Sequence, residues 1–466
     1  MDLHKLSVRN LSMLLEERSV SAAEMVSYYL DRIAKHNPKI GAFVAINEDL
    51  SLKLAQTVDA ARAAGLYQKP LAGIPFGVKD LENCEGFPTT KGSLLYKGAR
   101  PATTNSLLVQ RLRSAGAIPI GKTNTPEFGW KSTTENALFG ATRNPYDTAR
   151  TPGGSSGGTA AAVASGLVPF GTSSDGGGSI RIPASACGIA GLKPSTGRIA
   201  ARGEIAPNWW DLTTSGPMAR TFSDTAWLYD FCVGPHIDDL RSLPQKTSDW
   251  AVDILDTTTR PRVGLTYDMG YGETDSEIRG ALQKTAGLLS NAGYPVVELP
   301  PLFSEPPFQT WIKIAAPYNA RTLGIHVGTP QFDLIEPGLG AMILDGMNVL
   351  ARDFISALDE VWTLSSRFFS AMSNVDLLLC PTTATLAPII GENGTVDGVE
   401  TGDWVGYTSL ANLTRTPAAS VCVGISKEGI PISIQIMGKR FSEVEVLQLC
   451  HFIESRFTTP FPKQFF

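Results

Sequence analysis

Polar and apolar positions in this chain follow two alternating rhythms. In "SAAEMVSYYLDRIAKHNP" apolar residues recur every three to four positions, the spacing that gives a helix one buried face. A serine precedes the run, a glutamate follows it three residues on, and Asn-Pro closes it. The pattern predicts a helix over about Ala22 to His36. "LAGIPFGVKD" and "AGAIPIGKT" keep the other rhythm: short unbroken apolar runs bounded by glycine and charge, as in buried strands. Between them "TTNSLLVQRLRSAG" predicts a helix ending at Gly116. The three together make a strand–helix–strand unit with parallel strands.

The alternation continues to the end of the chain. "SGLVPFGTSSD", "RPRVGLTYD", "YPVVELP", "VDLLLCPTT", "AASVCVGI" and "PISIQIMG" predict strands. "DSEIRGALQKTAGLLSNAG" and "VEVLQLCHFIESRF" predict helices among them. No internal repeat or free linker breaks the pattern, and the proline-rich run from Leu299 to Pro307 predicts a surface loop. The expected fold is α/β: a single large mixed, mostly parallel sheet covered by helices on both faces.

Composition narrows the function classes. The chain has 466 residues, enough for a large core, with 43% hydrophobic and 18% charged residues. Net charge is −5 with no long basic run, which argues against nucleic acid or an acidic membrane surface as a partner. Six scattered cysteines without a CxxC pair read as reduced, buried thiols. The start lacks a basic segment followed by an apolar one, and no uncharged apolar run is long enough to span a membrane. The expectation is a cytoplasmic protein.

Two glycine clusters raise the chemical question: "TPGGSSGGTA" from Thr151 and "DGGGSIRIPA" from Asp175, each carrying serine. The first lacks the GK[ST] ending of a phosphate loop and the GxGxxG spacing of a dinucleotide site. It runs into an alanine-rich stretch that predicts a buried helix. The second places three glycines before Ser179, a backbone able to gather N–H groups into an anion nest.

A nucleophilic serine needs a base and a site for the oxyanion. Of the five histidines, His4, His36, His236, His326 and His451, none lies beside a cluster. There is no GxSxG elbow, and neither an HExxH motif nor a Cys/His cluster to hold a metal. Lysine is the other base open to serine. Lys79 is the only charge ending an apolar strand and is followed by Asp80. It reads either as the strand's exit into solvent or as a base where open α/β sheets bind ligands.

The segment "GGSSGGTAAAVASGLVPFGTSSDGGGSIRIPASACGIAGLKPS", Gly153 to Ser195, resembles the signature of the amidase signature family. "LAGIPFGVKD", "GKTNTPEFGW", "TENALFGATRNPYD", "SGPMARTFSD" and "GIPISIQIMG" agree in order, so the resemblance covers nearly the whole chain. It implies one domain over residues 1–466, with a helical N-terminal segment to about 65, a signature core over about 70–235 and a variable substrate-side region over about 300–370. It also implies amide hydrolysis by a Ser–Ser–Lys triad without cofactor or metal. In this sequence Ser179 would be the nucleophile, Lys79 the base, and Ser155 the bridge after a cis Gly154–Ser155 bond. The N–H groups of Gly176, Gly177, Gly178 and Ser179 would hold the oxyanion, and Asp175 and Arg181 would pair to brace the loop.

The family leaves the substrate open. The expected partner is a small-molecule amide, hydrophobic or aryl, with a homodimer among the possible assemblies. The alternative is the glutaminase subunit of a tRNA-dependent amidotransferase, which needs a second protein as partner. In that branch of the family an acid lies seven residues before an "NL" pair, and here that place is Val405. A non-catalytic binding protein retaining the fold is the remaining reading. Candidate pocket residues are Phe128, Trp130, Trp209, Trp210, Trp311 and Tyr318. The adjacent Trp209 and Trp210 stand in a polar loop where both cannot easily be core, so at least one is expected to line the pocket.

Overall fold

The computed structural model describes residues 1–66, 69–201, 209–256, 258–457 and 459–466. Eleven strands build its centre: β1 (Phe43–Ile46), β2 (Pro75–Lys79), β3 (Ile118–Thr123), β4 (Phe170–Asp175), β5 (Gly191–Lys193), β6 (Thr214–Ala219), β7 (Val263–Leu265), β8 (Val296–Glu298), β9 (Leu377–Pro381), β10 (Ala418–Ile425) and β11 (Pro431–Gly438). They form two sheets, ordered β1-β3-β2-β4-β6 and β5-β10-β11-β9-β7-β8. The sheets meet where the Ala190 N–H donates to the Ala219 carbonyl, at the junction of β5 and β6.

Every strand read from the apolar runs is present, and β2 and β3 are parallel. The sheet is mixed as expected, but it is divided in two rather than single, and antiparallel pairings slightly outnumber the parallel ones. β2 is parallel to β3 and β4, and β7 to β8 and β9. β1–β3, β4–β6, β5–β10, β10–β11 and β9–β11 are antiparallel. For β10 and β11 the cause is local: only residues 426–430 separate them, too few for a crossover.

The first helix also departs from expectation at its end. Ser21 and Glu24 form the capping box, but the helix runs Ala22–Ile40, through Pro38. Proline removes only one bond so near the end, and the stop is Gly41, left-handed at φ 65, whose N–H returns to the Asn37 carbonyl.

β2, β3 and β4 are buried almost end to end. They are covered by the helix Gly157–Ala164, itself wholly buried, and by helices near both termini, all in one hydrophobic core. A second core gathers Trp209 and Trp311 with the helix Ala351–Ala371 and the end of β9. The site lies between these two cores. All six cysteines are buried and unbridged.

Candidate active site

Lys79 ends β2 with no exposed surface, its backbone N–H donating to Thr172 Oγ1 at 2.9 Å. Its ammonium nitrogen meets three hydroxyls: Ser155 Oγ at 2.8 Å, Ser156 Oγ at 2.8 Å and Ser174 Oγ at 3.0 Å. Burial lowers its pKa to about 7, and the more distant Glu82 and Asp175 offset only part of that shift. A lysine at that value is a neutral amine for much of its time near neutral pH.

The first glycine cluster brings the serines to it. The Gly154–Ser155 peptide is cis. A side chain on Gly154 would meet the Thr133 carbonyl oxygen at 2.7 Å, and one on Gly158 the Asn124 backbone at 2.3 Å. Only glycine lets this turn, and the helix Gly157–Ala164 that follows, lie so close to the end of β3.

The second cluster leaves β4 at Asp175. This carboxylate accepts from the Arg181 guanidinium at 2.9 and 3.0 Å, and neither side chain has exposed surface. Burial alone would raise the Asp175 pKa, but Arg181 and Asn412 hold it at about 2. Arg181 also donates to Gln435 Oε1 at 2.6 Å, Asn412 Oδ1 at 2.7 Å and the Thr408 carbonyl at 2.7 Å. The ion pair expected from the sequence is therefore formed, and residues from the distant C-terminal part complete it.

One expectation is corrected here. The Gly178 N–H donates to Asp175 Oδ1 at 2.8 Å, so it points into the brace and away from any oxyanion. Gly176, Gly177 and Ser179 retain uncommitted amides among the described residues. The clusters touch where the Ser156 N–H reaches the Ser179 carbonyl at 3.3 Å. Ser179 is half-buried, and no hydrogen bond joins its hydroxyl to Ser155. In unliganded sites such links are often open until substrate binds.

Ser179 faces a cavity of about 390 Å³, within the usual size for a small-molecule site. Of the six candidate pocket residues, Trp130, Trp209 and Trp311 line it. Phe128, Trp210 and Tyr318 do not. Phe128 has a left-handed backbone (φ 51) that turns its ring into a separate cluster with Leu323, Ile335, Leu339 and Ile343. Trp210 is 37% exposed. Tyr318 lies two turns beyond Trp311, against Phe354 and Arg321.

Sequence reasoning missed Phe308, Ile312 and Met342 on the wall, and Asp403 beside Val405. Apolar wall residues look like ordinary core in a sequence. Asp403 lies two residues from the position that counting selected. Ser156 and Ser174, the other hydroxyls on Lys79, were also missed, although Ser156 stands in the first glycine cluster and Ser174 immediately precedes the second.

The family model Amidase matches residues 24–447. The chain belongs to the amidase signature family. Among curated relatives, a glutamyl-tRNA(Gln) amidotransferase subunit of Acinetobacter baumannii is 33% identical over 97% of this chain and 96% of the relative. The corresponding protein of Carboxydothermus hydrogenoformans is 34% identical over 97% and 98%. Among solved structures, a bacterial aryl acylamidase of the amidase signature family superposes with TM-score 0.91 at 26% identity, covering 100% and 98% of the two chains. A 6-aminohexanoate cyclic dimer hydrolase bound to substrate gives 0.87 at 29%, covering 98% of both. The glutamyl-tRNA(Gln) amidotransferase subunit of Thermotoga maritima gives 0.83 at 27%, covering 99% and 98%. This amidase signature chain thus shares its family with amide hydrolases and with the amidotransferase component.

Proposed function

We propose that the chain is a serine amidohydrolase working through an acyl-enzyme on Ser179. The observation that carries this reading is a fully buried Lys79 bonded only to hydroxyls, one of them Ser155 at 2.8 Å. Neutral Lys79 takes a proton from Ser155 as Ser155 takes one from Ser179. The Ser179 oxygen attacks the amide carbonyl carbon, and its new oxyanion is held by the free amides of the Gly176–Ser179 turn. Collapse breaks the C–N bond, and the proton on Lys79 returns through Ser155 to the leaving amine. Water then attacks the ester by the same relay and releases the acid. In this reading Asp175 and Arg181 position the turn.

For the substrate, the cavity wall supports a small amide with an apolar or aryl portion. Trp130, Trp209, Phe308, Trp311, Ile312 and Met342 form most of it. Its lysine, Lys131, is already paired with Glu135 at 3.0 Å and Glu336 at 2.7 Å, which leaves it poorly placed to receive a free amino acid's carboxylate. The second reading is the glutaminase subunit of an amidotransferase, with a protein partner. The curated relatives favour it over the first, and Asp403 on the wall supplies an acid near the place where that branch of the family carries one.

Ser179→Ala tests the reaction both readings share. It should abolish turnover and labelling by a fluorophosphonate, while labelling retained at another serine would refute the assignment. Assays of the purified chain on anilides and on glutamine separate the substrates. Anilide hydrolysis by the chain alone supports the first, and glutaminase activity that needs an added partner supports the second.

A further inference from the structure

The three glycines of the turn that carries Ser179 offer no side chains to hold it, and the Asp175 carboxylate before them can accept only from the turn's amides. Its carbonyls are held from outside. The Trp311 indole N–H donates to the Gly176 carbonyl at 2.6 Å. Thr408 Oγ1 donates to the Gly177 carbonyl at 2.6 Å. The Ile182 N–H donates to the Gly178 carbonyl at 2.7 Å.

A trans peptide is planar, with its C=O and the next N–H pointing in opposite directions. Fixing a carbonyl therefore aims the following amide. The rule is visible at the middle peptide, where Thr408 pulls the Gly177 carbonyl one way and the Gly178 N–H goes the other, onto Asp175. By the same rule Trp311 aims the Gly177 amide and Ile182 aims that of Ser179. These are two of the amides left free to meet an oxyanion.

Trp311 differs from the other two clamps because it also faces substrate. It lines the cavity with Ser179, while Thr408 does not. Its ring lies against the turn: a side chain on Gly177 would meet it at 3.2 Å. Trp209 backs it edge-on at 5.1 Å and Phe308 stacks on it at 5.5 Å, so the indole has little room to swing.

We propose that Trp311 is a positioning residue that aims the Gly177 amide through the Gly176 carbonyl, so that substrate pressing on the indole wall acts on the oxyanion site. The inference rests on the serine amidohydrolase reading. The two roles of Trp311 separate by substitution, because Trp311→Phe keeps an aromatic wall and deletes only the donor.

The experiment measures kcat, KM and inhibition for wild type, Trp311→Phe, Thr408→Val and Thr408→Ser, with folding checked by thermal melting. The inhibitors are an aryl trifluoromethyl ketone, which serine converts to a tetrahedral oxyanion adduct, and the matching alcohol, which cannot react. Loss of a direct oxyanion donor costs about 10²–10³ in kcat. Misaiming one should lower kcat by roughly tenfold or more in Trp311→Phe, with KM within about twofold. Ketone inhibition should weaken by the same factor as kcat/KM, and alcohol inhibition should not change. Thr408→Val frees the Gly177 carbonyl and with it only the Gly178 amide, which points onto Asp175. It and Thr408→Ser should therefore keep the wild-type ratio of ketone to alcohol inhibition, and a ketone-selective loss in Thr408→Val as large as in Trp311→Phe would overturn the assignment to Trp311.

Unchanged kcat with a raised KM in Trp311→Phe would overturn the proposal, as would parallel loss of ketone and alcohol binding. If Trp311→Phe melts early, the same split is measured below its melting temperature on the fraction that fluorophosphonate labels at Ser179. A wild-type enzyme that hydrolyses amides without fluorophosphonate labelling at Ser179 would refute the serine reading itself. That outcome is distinct from a labelled wild type with an unaffected Trp311→Phe.

Discussion

Two lysines end neighbouring strands of the same sheet, and neither has exposed surface. Lys79 closes β2 and Lys122 stands one residue before the end of β3. In the parallel register Val78 faces Lys122 and Lys79 faces Thr123, so the two lysines lie on opposite faces. On one face Lys79 meets three neutral hydroxyls. On the other Lys122 meets the Asp80 carboxylate at 3.3 Å, the Glu82 carbonyl at 2.6 Å and Thr89 Oγ1 at 2.9 Å. Burial lowers the pKa of both, but the close Asp80 pulls Lys122 back toward the cation. Equal burial therefore yields two chemistries. A carboxylate within reach holds Lys122 toward the cation, and in the proposed mechanism its replacement by hydroxyls suits Lys79 to act as a base.

The sharpest break of that comparison is Lys79→Arg. Guanidinium stays protonated and cannot accept a proton. The kcat should fall by on the order of 10³–10⁶, as for other catalytic groups that act as a unit, with the melting profile showing a folded protein. Near-wild-type turnover would end the reading of Lys79 as base.

Lys122→Met should act on stability and leave the chemistry. It strands the buried Asp80, and breaking such a pair costs about 3–5 kcal/mol. Denaturant titration should show that loss, while activity per folded molecule stays near wild type. A collapse of kcat with stability intact would mean that Lys122 belongs to the catalytic group.

A third variant makes Lys79 resemble Lys122. Ser174→Asp places a carboxylate where a hydroxyl stands 3.0 Å from the Lys79 nitrogen. An opposite charge at that range should raise the Lys79 pKa by about 1–3. In the proposed mechanism the neutral amine is the active form, so wild-type kcat/KM should rise with pH through about 7 and then level off. In the variant that rising limb should move to higher pH, with activity at pH 7 lower by roughly 5- to 500-fold and recovered on the alkaline side. An unmoved limb would separate the observed pKa from Lys79. The smallest expected effect is Thr89→Val, which removes one hydroxyl acceptor from Lys122 and should cost about 1 kcal/mol by thermal melting, with no change in rate.

The sequence carried the local part of this architecture. The capping box at Ser21 and Glu24, the apolar runs of the long strands and the two glycine clusters are each contained within a few adjacent residues. The resemblance then assigned roles to Lys79, Ser155 and Ser179. Asn412, Gln435 and Thr408 were not legible as the brace of Arg181, because they lie more than two hundred residues from it in the chain and carry no local pattern. The tryptophan pair shows the same limit at short range. Trp209 enters the cavity wall and Trp210 faces outward, a choice fixed by two left-handed backbone angles, φ 59 and φ 43.

The sequence by itself determined which segments become helices and strands and which residue types could do the chemistry, since periodicity, caps and glycine placement act over a few residues. Only the tertiary structure decided which lysine is free of a carboxylate, which turn amides remain unpaired and which aromatic rings form the wall. Those properties depend on which atoms from distant strands share one water-excluded space, and spacing along the chain does not encode that.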